Sequence, residues 1–276
     1  MNIAVIQARM ASRRLPGKAM LEIIGQPLIE HVIRRASRIE GVAKIFLATS
    51  KNHENIPLAE FTESLGIEVY RGDEDNVLER FYEVAKGATA QNVIRLTGDN
   101  PLLDFRAIGY ILGKHQEGKY DYTCVSGLPV GAGADIFSFK ALEESYCCGN
   151  GKELCDHVDL YVLENLERFK AMRCIISPGF GSCRWTVDDP DDLQLIRGFC
   201  EKASAQFPGV FDALDAAQLI ALVEKLDFKL RMQPVNPNVS EKNLYTEQLA
   251  AKIFTRLEIA FDKIYPKSCI PAMDED

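Results

Sequence analysis

A chain of 276 residues, 47% of them hydrophobic, is long enough to bury one large core, which excludes a wholly disordered protein. The net charge of −8 argues against a protein that coats duplex nucleic acid, because such proteins need a basic surface. The sequence contains no apolar run of 18 residues and no secretion signal, so we expect a cytoplasmic protein that binds neither nucleic acid nor membranes.

The first hundred residues alternate short apolar runs with segments that repeat apolar residues at helical spacing. Strands are predicted at 2–7, 44–49, 68–70 and 92–96, and helices at 28–39, 56–65 and 77–86. This alternation predicts an α/β fold with a mostly parallel twisted sheet and helices on both faces. Ligands of such sheets bind beyond the carboxyl ends of the strands, so we expect the loop after the first strand to lie near the turn after the fourth.

The second half of the chain is less regular. Strands are predicted at 135–139 and 184–187, and helices at 141–146, 158–166, 193–205, 213–226 and 241–263, with a linker at 234–238. We therefore divide the chain into a main domain, residues 1–210, and a C-terminal helical extension, residues 211–276. The last predicted helix carries an apolar stripe that favours a homodimer. Its residues are Leu244, Leu249, Ile253, Leu257 and Phe261.

The loop QARMASRRLPGKAM, residues 7–20, concentrates positive charge in this acidic chain. Its cations are Arg9, Arg13, Arg14 and Lys18. Arginine donates paired hydrogen bonds to phosphate oxygens, and lysine supplies a compact positive charge. The loop is neither a P-loop nor a dinucleotide-binding turn, because a single glycine precedes Lys18 and no G-x-G-x-x-G follows the first strand. We interpret it as a site for a nucleoside triphosphate; a solvated basic loop is the alternative.

Two aspartate turns are the next candidates for chemistry. Asp99 lies in RLTGDNPLLD, at the end of the fourth predicted strand, where it could hold Mg²⁺, which prefers one or two carboxylates plus phosphate oxygens. Asp188 lies in RWTVDDPDDL, next to Asp189 and Pro190. Each turn could instead cap the helix that follows it.

These motifs, in this order, resemble those of the CMP-sugar synthetases, the cytidylyltransferases that activate acidic sugars. Within that family the likeness is to the spore-coat polysaccharide biosynthesis F branch. The resemblance rests on A-R-M-x-S-x-R-L-P-G-K and the two aspartate turns, and it covers about residues 1–210. It implies a nucleotide-diphospho-sugar transferase fold of the GT-A type, with CTP and a sugar as substrates and Mg²⁺ as cofactor.

The resemblance also implies roles for individual residues. Those that would bind CTP are Arg9, Ser12, Arg14, Lys18, Arg71 and Arg80. The catalytic residues would be Arg9, Lys18 and Asp99, and the metal ligands Asp99 and Asp188. Arg71 and Arg80 belong to RGDEDNVLER, which resembles the segment that touches the base and ribose; flanking arginines of this kind can also pair with acidic neighbours on a solvated face.

Two stretches depart from the pattern of that branch. Pro129-Val130-Gly131-Ala132-Gly133 replaces P-D-G-L-D, and Cys155-Asp156-His157-Val158-Asp159 replaces R-E-H-V-T. Both would lie on the sugar side, so the acceptor stays open, and a non-catalytic nucleotide-binding protein is one alternative. A metal-dependent glycosyltransferase is another, because Asp73-Glu74-Asp75 matches the Asp-x-Asp motif of such enzymes.

Overall fold

The computed structural model describes residues 1–149, 155, 157–177, 183–208, 211–226, 228 and 255–266. The strands of this part of the chain are β1 (Asn2–Gln7), β2 (Glu22–Ile23), β3 (Gln26–Pro27), β4 (Lys44–Ser50), β5 (Glu68–Gly72), β6 (Asn92–Thr97), β7 (Tyr122–Ser126), β8 (Asp135–Ser138), β9 (Ala171–Ser177) and β10 (Thr255–Ala260). Its helices are α1 (Leu28–Ala36), α2 (Ile56–Ser64), α3 (Val77–Gly87), α4 (Phe105–Gly118), α5 (Phe139–Cys148), α6 (Leu160–Glu164), α7 (Pro190–Gln206), α8 (Ala216–Lys225) and α9 (Phe261–Ile264).

Eight of the strands form one sheet in the order β10-β9-β7-β8-β6-β1-β4-β5. Strand β1 lies between β4 and β6 and runs parallel to both. Strand β8 is antiparallel to its two neighbours, β6 and β7. The carboxyl ends of β1, β4, β5 and β6 therefore meet at one edge of the sheet. The small hairpin of β2 and β3 lies outside it.

Both faces of the sheet are covered, because its central strands are apolar on both sides. Ala4 and Ile6 of β1 belong to a core that includes residues of α1, α2, α4, α7 and α8. Ile3 and Val5 point the other way and pack with residues of α3, α5 and α6. These findings confirm the predicted α/β fold with a mostly parallel sheet and helices on both faces. Among the described residues, no helix has the length and apolar character needed to cross a bilayer.

Two predicted elements are wrong. Residues 184–187 do not form a strand: Arg184 makes an isolated bridge with Val130, and Val187 N–H then donates to the carbonyl of Asp99. Residues 255–260, predicted as part of a helix, form β10, because the open edge of β9 offers six consecutive partners for their backbone. Strands β7 and β9 and helix α4 were not predicted.

The C-terminal predictions have mixed outcomes. Helix α8 confirms the predicted helix at 213–226. The predicted linker and most of the last predicted helix, including Leu244, Leu249 and Ile253, lie outside the described residues. Leu257 belongs to β10 and Phe261 begins α9. The division of the chain at residue 210 and the homodimer stay predictions.

A buried polar network joins the C-terminal elements to the start of α4. The guanidinium of Arg35, fully buried, donates to the carbonyls of Leu103 at 2.7 Å and Leu214 at 2.6 Å. The buried carboxylate of Asp104 caps α4 and accepts a hydrogen bond from the phenol of Tyr265. Burial raises the pKa of Asp104, although these hydrogen bonds oppose the rise. The network therefore holds the turn between β6 and α4 in place.

We expect Tyr265→Phe to lower the free energy of unfolding by about 1–3 kcal/mol, because the buried Asp104 carboxylate loses a donor. Urea denaturation measures the change. The matched control is Tyr110→Phe, which removes a half-buried phenol on α4 for which the described residues contain no hydrogen bond. Equal stability of the two variants would contradict this account of the network.

Candidate active site

A cavity of about 430 Å³ opens at the carboxyl ends of β1 and β6, and we call it the first cavity. All the predicted site residues except Arg71 line it. Those residues are Arg9, Ser12, Arg14, Lys18, Arg80, Asp99 and Asp188. Arg13 and His157 line it as well, so the charge that the sequence concentrates in residues 7–20 faces one enclosed space.

The basic loop is held in place by hydrogen bonds to its backbone. The N–H groups of Ser12 and Gly17 both donate to the carbonyl of Met10, at 2.9 and 2.8 Å. The N–H of Met10 donates to Oδ1 of Asn55 at 2.8 Å, and the buried Asn55 donates in turn to Oγ of Ser50 at 2.7 Å. The backbone of the loop is thus anchored to the end of β4, and none of these hydrogen bonds uses an arginine side chain of the loop.

Lys18 joins the two predicted metal ligands. Its Nζ donates to Oδ2 of Asp99 at 2.7 Å, to Oδ1 of Asp188 at 3.0 Å and to the carbonyl of Val187 at 2.9 Å. The side chain of Lys18 is 13% exposed, so these contacts are partly shielded from water. Three residues far apart in the sequence therefore meet at a single ammonium group.

Further cations hold the carboxylate of Asp188. The guanidinium of Arg184 contacts both Asp188 and Asp192, and Nη2 of Arg14 lies 3.2 Å from Oδ1 of Asp188. Burial alone would raise the pKa of Asp188, but the hydrogen bonds from Lys18 and Arg184 and the nearby positive charges outweigh it and lower that pKa. The carboxylate of Asp188 is accordingly ionised at neutral pH.

In each of the two aspartate turns, the residue that caps the following helix differs from the residue that lines the cavity. Asp104, not Asp99, caps α4, and Asp189, not Asp188, caps α7 by accepting from the N–H of Asp192 at 2.9 Å. The carboxylate of Asp192 accepts in turn from the N–H of Asp188 at 2.9 Å. Asp99 and Asp188 are therefore left to face the cavity.

Gly98 allows the turn that carries Asp99 to approach the basic loop. Its N–H donates to the carbonyl of Gln7 at 2.8 Å. A Cβ at this position would lie 2.6 Å from Cβ of Ala8 and 3.2 Å from the carbonyl oxygen of Gln7. These distances leave no room for a side chain, so the close packing of the two loops depends on glycine.

The two arginines of RGDEDNVLER have different surroundings. Arg71 donates to the carbonyls of Ser50, Lys51 and Asn52, at 3.3, 3.0 and 3.2 Å, and is not among the residues that line the cavity. Arg80 is buried, donates to the carbonyl of Glu74 at 3.1 Å and lines the cavity. Burial, with the charge of Arg9 adding to it, lowers the pKa of Arg80.

The Asp-x-Asp match lies outside the cavity. The carboxylate of Asp73 accepts from the N–H of Asp75 at 2.8 Å. The carboxylate of Glu74 accepts from Nη1 of Arg9 at 3.4 Å and from Oγ of Ser50 at 3.2 Å. These contacts shape the loop before α3, which is the structural role expected of a turn at this place.

A second cavity, also of about 430 Å³, adjoins the first at Thr97, which lines both. Its wall includes Arg95 on β6 and the loop from Gly127 to Ala134. Gly131 has a φ of 93°, and a Cβ there would lie 2.8 Å from Oδ1 of Asn100. The departures at Val130 and Gly133 therefore belong to the wall of this second cavity.

Comparison with known proteins decides the family. The sequence profile of the cytidylyltransferases matches residues 3–165. The chain is 30% identical over 245 residues to the spore coat polysaccharide biosynthesis protein SpsF of Bacillus subtilis, covering 80% of this chain and 93% of that protein.

The chain belongs to the cytidylyltransferase family.

Solved structures agree with this fold. A cytidylyltransferase from Leptospira borgpetersenii superposes with a TM-score of 0.77 at 22% identity, covering 85% of this chain and 98% of that one. A CMP:2-keto-3-deoxy-manno-octonic acid synthetase complexed with CTP superposes with a TM-score of 0.56 at 21% identity, covering 72% and 98% of the two chains. Membership of the cytidylyltransferases makes the protein a nucleotidyltransferase, and the glycosyltransferase alternative is set aside.

Sequence reasoning missed several residues that build the candidate site. Arg184 and Asp192 orient Asp188, and Asn55 anchors the basic loop. The spacing from Arg184 to Asp188 and from Asp188 to Asp192 is four residues in both cases, and that pattern was the available signal. No sequence pattern indicates the contact of Asn55, because 45 residues separate it from Met10.

We expect Gly98→Ala to lower the free energy of unfolding by about 1–3 kcal/mol, because its Cβ overlaps Ala8 and pushes apart the loops that carry Lys18 and Asp99. Urea denaturation measures the change. The control is Gly113→Ala in α4, where a Cβ meets nothing within 4 Å, so alanine is expected to stabilise the helix by about 0.5–1 kcal/mol. Two variants that both gain stability would contradict the close packing at Gly98.

Proposed function

We propose that the protein transfers CMP from CTP to a hydroxyl group of a sugar and releases pyrophosphate. The observation that carries the proposal is the meeting of Lys18, Asp99 and Asp188 at the edge of a basic cavity. One solved relative of this fold is complexed with CTP, and its name assigns it an acidic sugar. Both facts support CTP and an acidic sugar as the substrates here.

The triphosphate is assigned to the basic side of the first cavity. Arg9, Ser12 and Arg14 supply donors to phosphate oxygens, and Lys18 neutralises the charge that grows on the leaving pyrophosphate. Each charge-assisted hydrogen bond contributes roughly 1.5–3 kcal/mol, so a few of them account for tight recognition of the triphosphate. Arg80 also lines the first cavity and is assigned to the nucleoside. Arg71 does not line the cavity, and it would affect nucleoside binding by holding the backbone of residues 50–52.

The donor set fits Mg²⁺. Two carboxylates, Asp99 and Asp188, line the first cavity and both contact the ammonium of Lys18. In the described part of the chain no group of three or more His, Cys, Asp or Glu side chains is arranged to hold a metal. Mg²⁺ is bound by one or two carboxylates together with phosphate oxygens and water, which suits a pair of aspartates beside a triphosphate site. When bound there, Mg²⁺ would offset phosphate charge and lower the pKa of the attacking hydroxyl.

In this reaction the protein mainly positions the substrates and stabilises the developing charge, and it takes little part in covalent chemistry. The sugar oxygen forms a bond to the α-phosphorus while the bond to the bridging oxygen of the β-phosphate breaks. Pyrophosphate leaves with that oxygen, and the hydroxyl proton passes to solvent. The chain holds the two substrates in adjoining cavities that share Thr97, so the reacting groups meet with little loss of freedom in the step itself.

We propose that this chain takes part in the synthesis of a cell-surface polysaccharide of the spore-coat type. The name of the Bacillus relative supports this proposal. We further propose a cytoplasmic enzyme that acts as a homodimer. Residues 1–210 are proposed as the nucleotidyltransferase domain, and residues 211–276 as an extension that completes the sheet edge through β10.

The first test is thermal stabilisation by CTP, UTP, ATP, GTP and UDP-sugars, each with Mg²⁺. A ligand at a hundred times its dissociation constant adds about 2.7 kcal/mol to the free energy of unfolding, which a melting curve resolves. We expect a shift with CTP alone. A shift with UDP-sugars and none with CTP would overturn the proposal. Release of pyrophosphate from CTP with a panel of sugar acids distinguishes an enzyme from a non-catalytic nucleotide-binding protein.

We expect Asp99→Asn to lower turnover by about 100-fold or more, because a neutral amide neither balances Lys18 nor binds the metal, and about 2.7 kcal/mol of barrier corresponds to that factor. Stabilisation by CTP is expected to persist, since the basic loop is intact. The control is Asp191→Asn, an exposed aspartate in the first turn of α7. Near-normal turnover of Asp99→Asn, measured as pyrophosphate release, would show that the metal assignment is wrong.

A further inference from the structure

The second cavity carries little charge. Among the described residues that line it, Arg95 and Asp135 are the charged ones, and Arg95 is the sole cation. The loop that forms its wall contributes Val130, Gly131 and Gly133, which have no ionisable groups. Among the residues described, Arg95 is therefore the one positively charged partner for an anionic ligand of this cavity.

The guanidinium of Arg95 is fixed on one side. Its Nε donates to Oε1 of Gln7 at 3.2 Å, and its Nη1 donates to Oδ2 of Asp135 at 3.0 Å. The other carboxylate oxygen of Asp135 accepts from the phenol of Tyr122 at 3.1 Å. The two partners, Gln7 on β1 and Asp135 on β8, lie on the strands that flank β6, and together they set the plane of the guanidinium. A guanidinium held in this way is pre-organised to bind a carboxylate.

The remaining amino group of Arg95 has no such partner. None of the hydrogen bonds found in the described ranges uses Nη2, and the side chain is 20% exposed. Arg95 lines the second cavity, whereas its partner Gln7 lines the first. A ligand bound to Nη2 would therefore lie beside the nucleotide, at the boundary between the two cavities.

We propose that Arg95 binds the carboxylate of the acceptor sugar through Nη2 and so selects sugar acids over neutral sugars. The inference rests on the proposed function for the identity of the acceptor, and on the geometry of the second cavity for the site. Asp135 has a positioning role: it and Gln7 hold the guanidinium, and each oxygen of the Asp135 carboxylate already accepts one hydrogen bond.

The test compares each acid with its own uncharged form. The probes are 3-deoxy-manno-octulosonate and N-acetylneuraminate, each beside its methyl ester, which differ in the carboxylate charge and little else. Binding to the full chain is measured by titration calorimetry with CMP and Mg²⁺ in place of CTP, so that no turnover occurs, for the wild type, Arg95→Gln and Arg95→Lys. Arg34→Gln, a half-exposed arginine of α1 paired with Glu30, is the matched control.

We expect at least one acid to bind the wild type more tightly than its ester. Arg95→Gln should weaken binding of that acid by about 10- to 100-fold, the range for a charge-assisted hydrogen bond, and change binding of the ester by less than about threefold. Arg95→Lys should recover part of the loss, because it keeps the charge without the planar fork. Stabilisation by CTP and the melting temperature serve as controls for folding.

The outcomes separate this inference from the proposed function. A wild type that binds neither acid more tightly than its ester, or an Arg95→Gln variant that weakens acid and ester equally, overturns the role of Arg95 even where CTP turnover persists. If acid binding depends on Arg95 but CTP neither stabilises the protein nor yields pyrophosphate, the proposed function fails and the carboxylate site stands.

Discussion

The ammonium group of Lys18 is the interaction on which the site depends. It lies between two carboxylates that would otherwise repel each other, and it takes a backbone carbonyl as a third acceptor. Burying charged groups costs free energy unless they are paired and hydrogen-bonded, so the three side chains stabilise one another in this half-buried place. Arg14 and Arg184 extend the pairing around Asp188. Cations and carboxylates of the site are therefore paired within the chain, and both kinds of side chain line the cavity.

The fold brings these groups together through its backbone. Strands β1 and β6 are neighbours and parallel, so the segments that follow them, with Lys18 and Asp99, leave the sheet at the same edge. Asp188 arrives from a remote segment, tied by the hydrogen bond from Val187 N–H to the carbonyl of Asp99. Beneath the turn, Arg35 and the contact of Tyr265 with Asp104 hold the start of α4 in place. Among the described residues, those of the C-terminal segment therefore support this turn and do not line the cavity.

The sequence predicts the parts of the molecule that local pattern determines. Strands β1, β4 and β6 are apolar on both faces, which makes their runs easy to recognise, and the basic loop is conspicuous in an acidic chain. Pattern fails at 255–260, where apolar residues fit a helix but the open edge of β9 takes the backbone as a strand. It fails also for Asn55, whose partner Met10 lies 45 residues away in the sequence. Even the predicted Arg71 is drawn to three backbone carbonyls instead of the cavity.

The two cavities differ in charge as the two proposed substrates do. Several cations face the first, in keeping with a ligand that carries three phosphates, while the second offers a single guanidinium already held by Gln7 and Asp135. A triphosphate in the second cavity would leave most of its charge uncompensated, because Arg95 is the one cation among the described residues that line it. Charge therefore favours the first cavity for the triphosphate, and Gln7, which lines that cavity, also accepts a hydrogen bond from the guanidinium of the second.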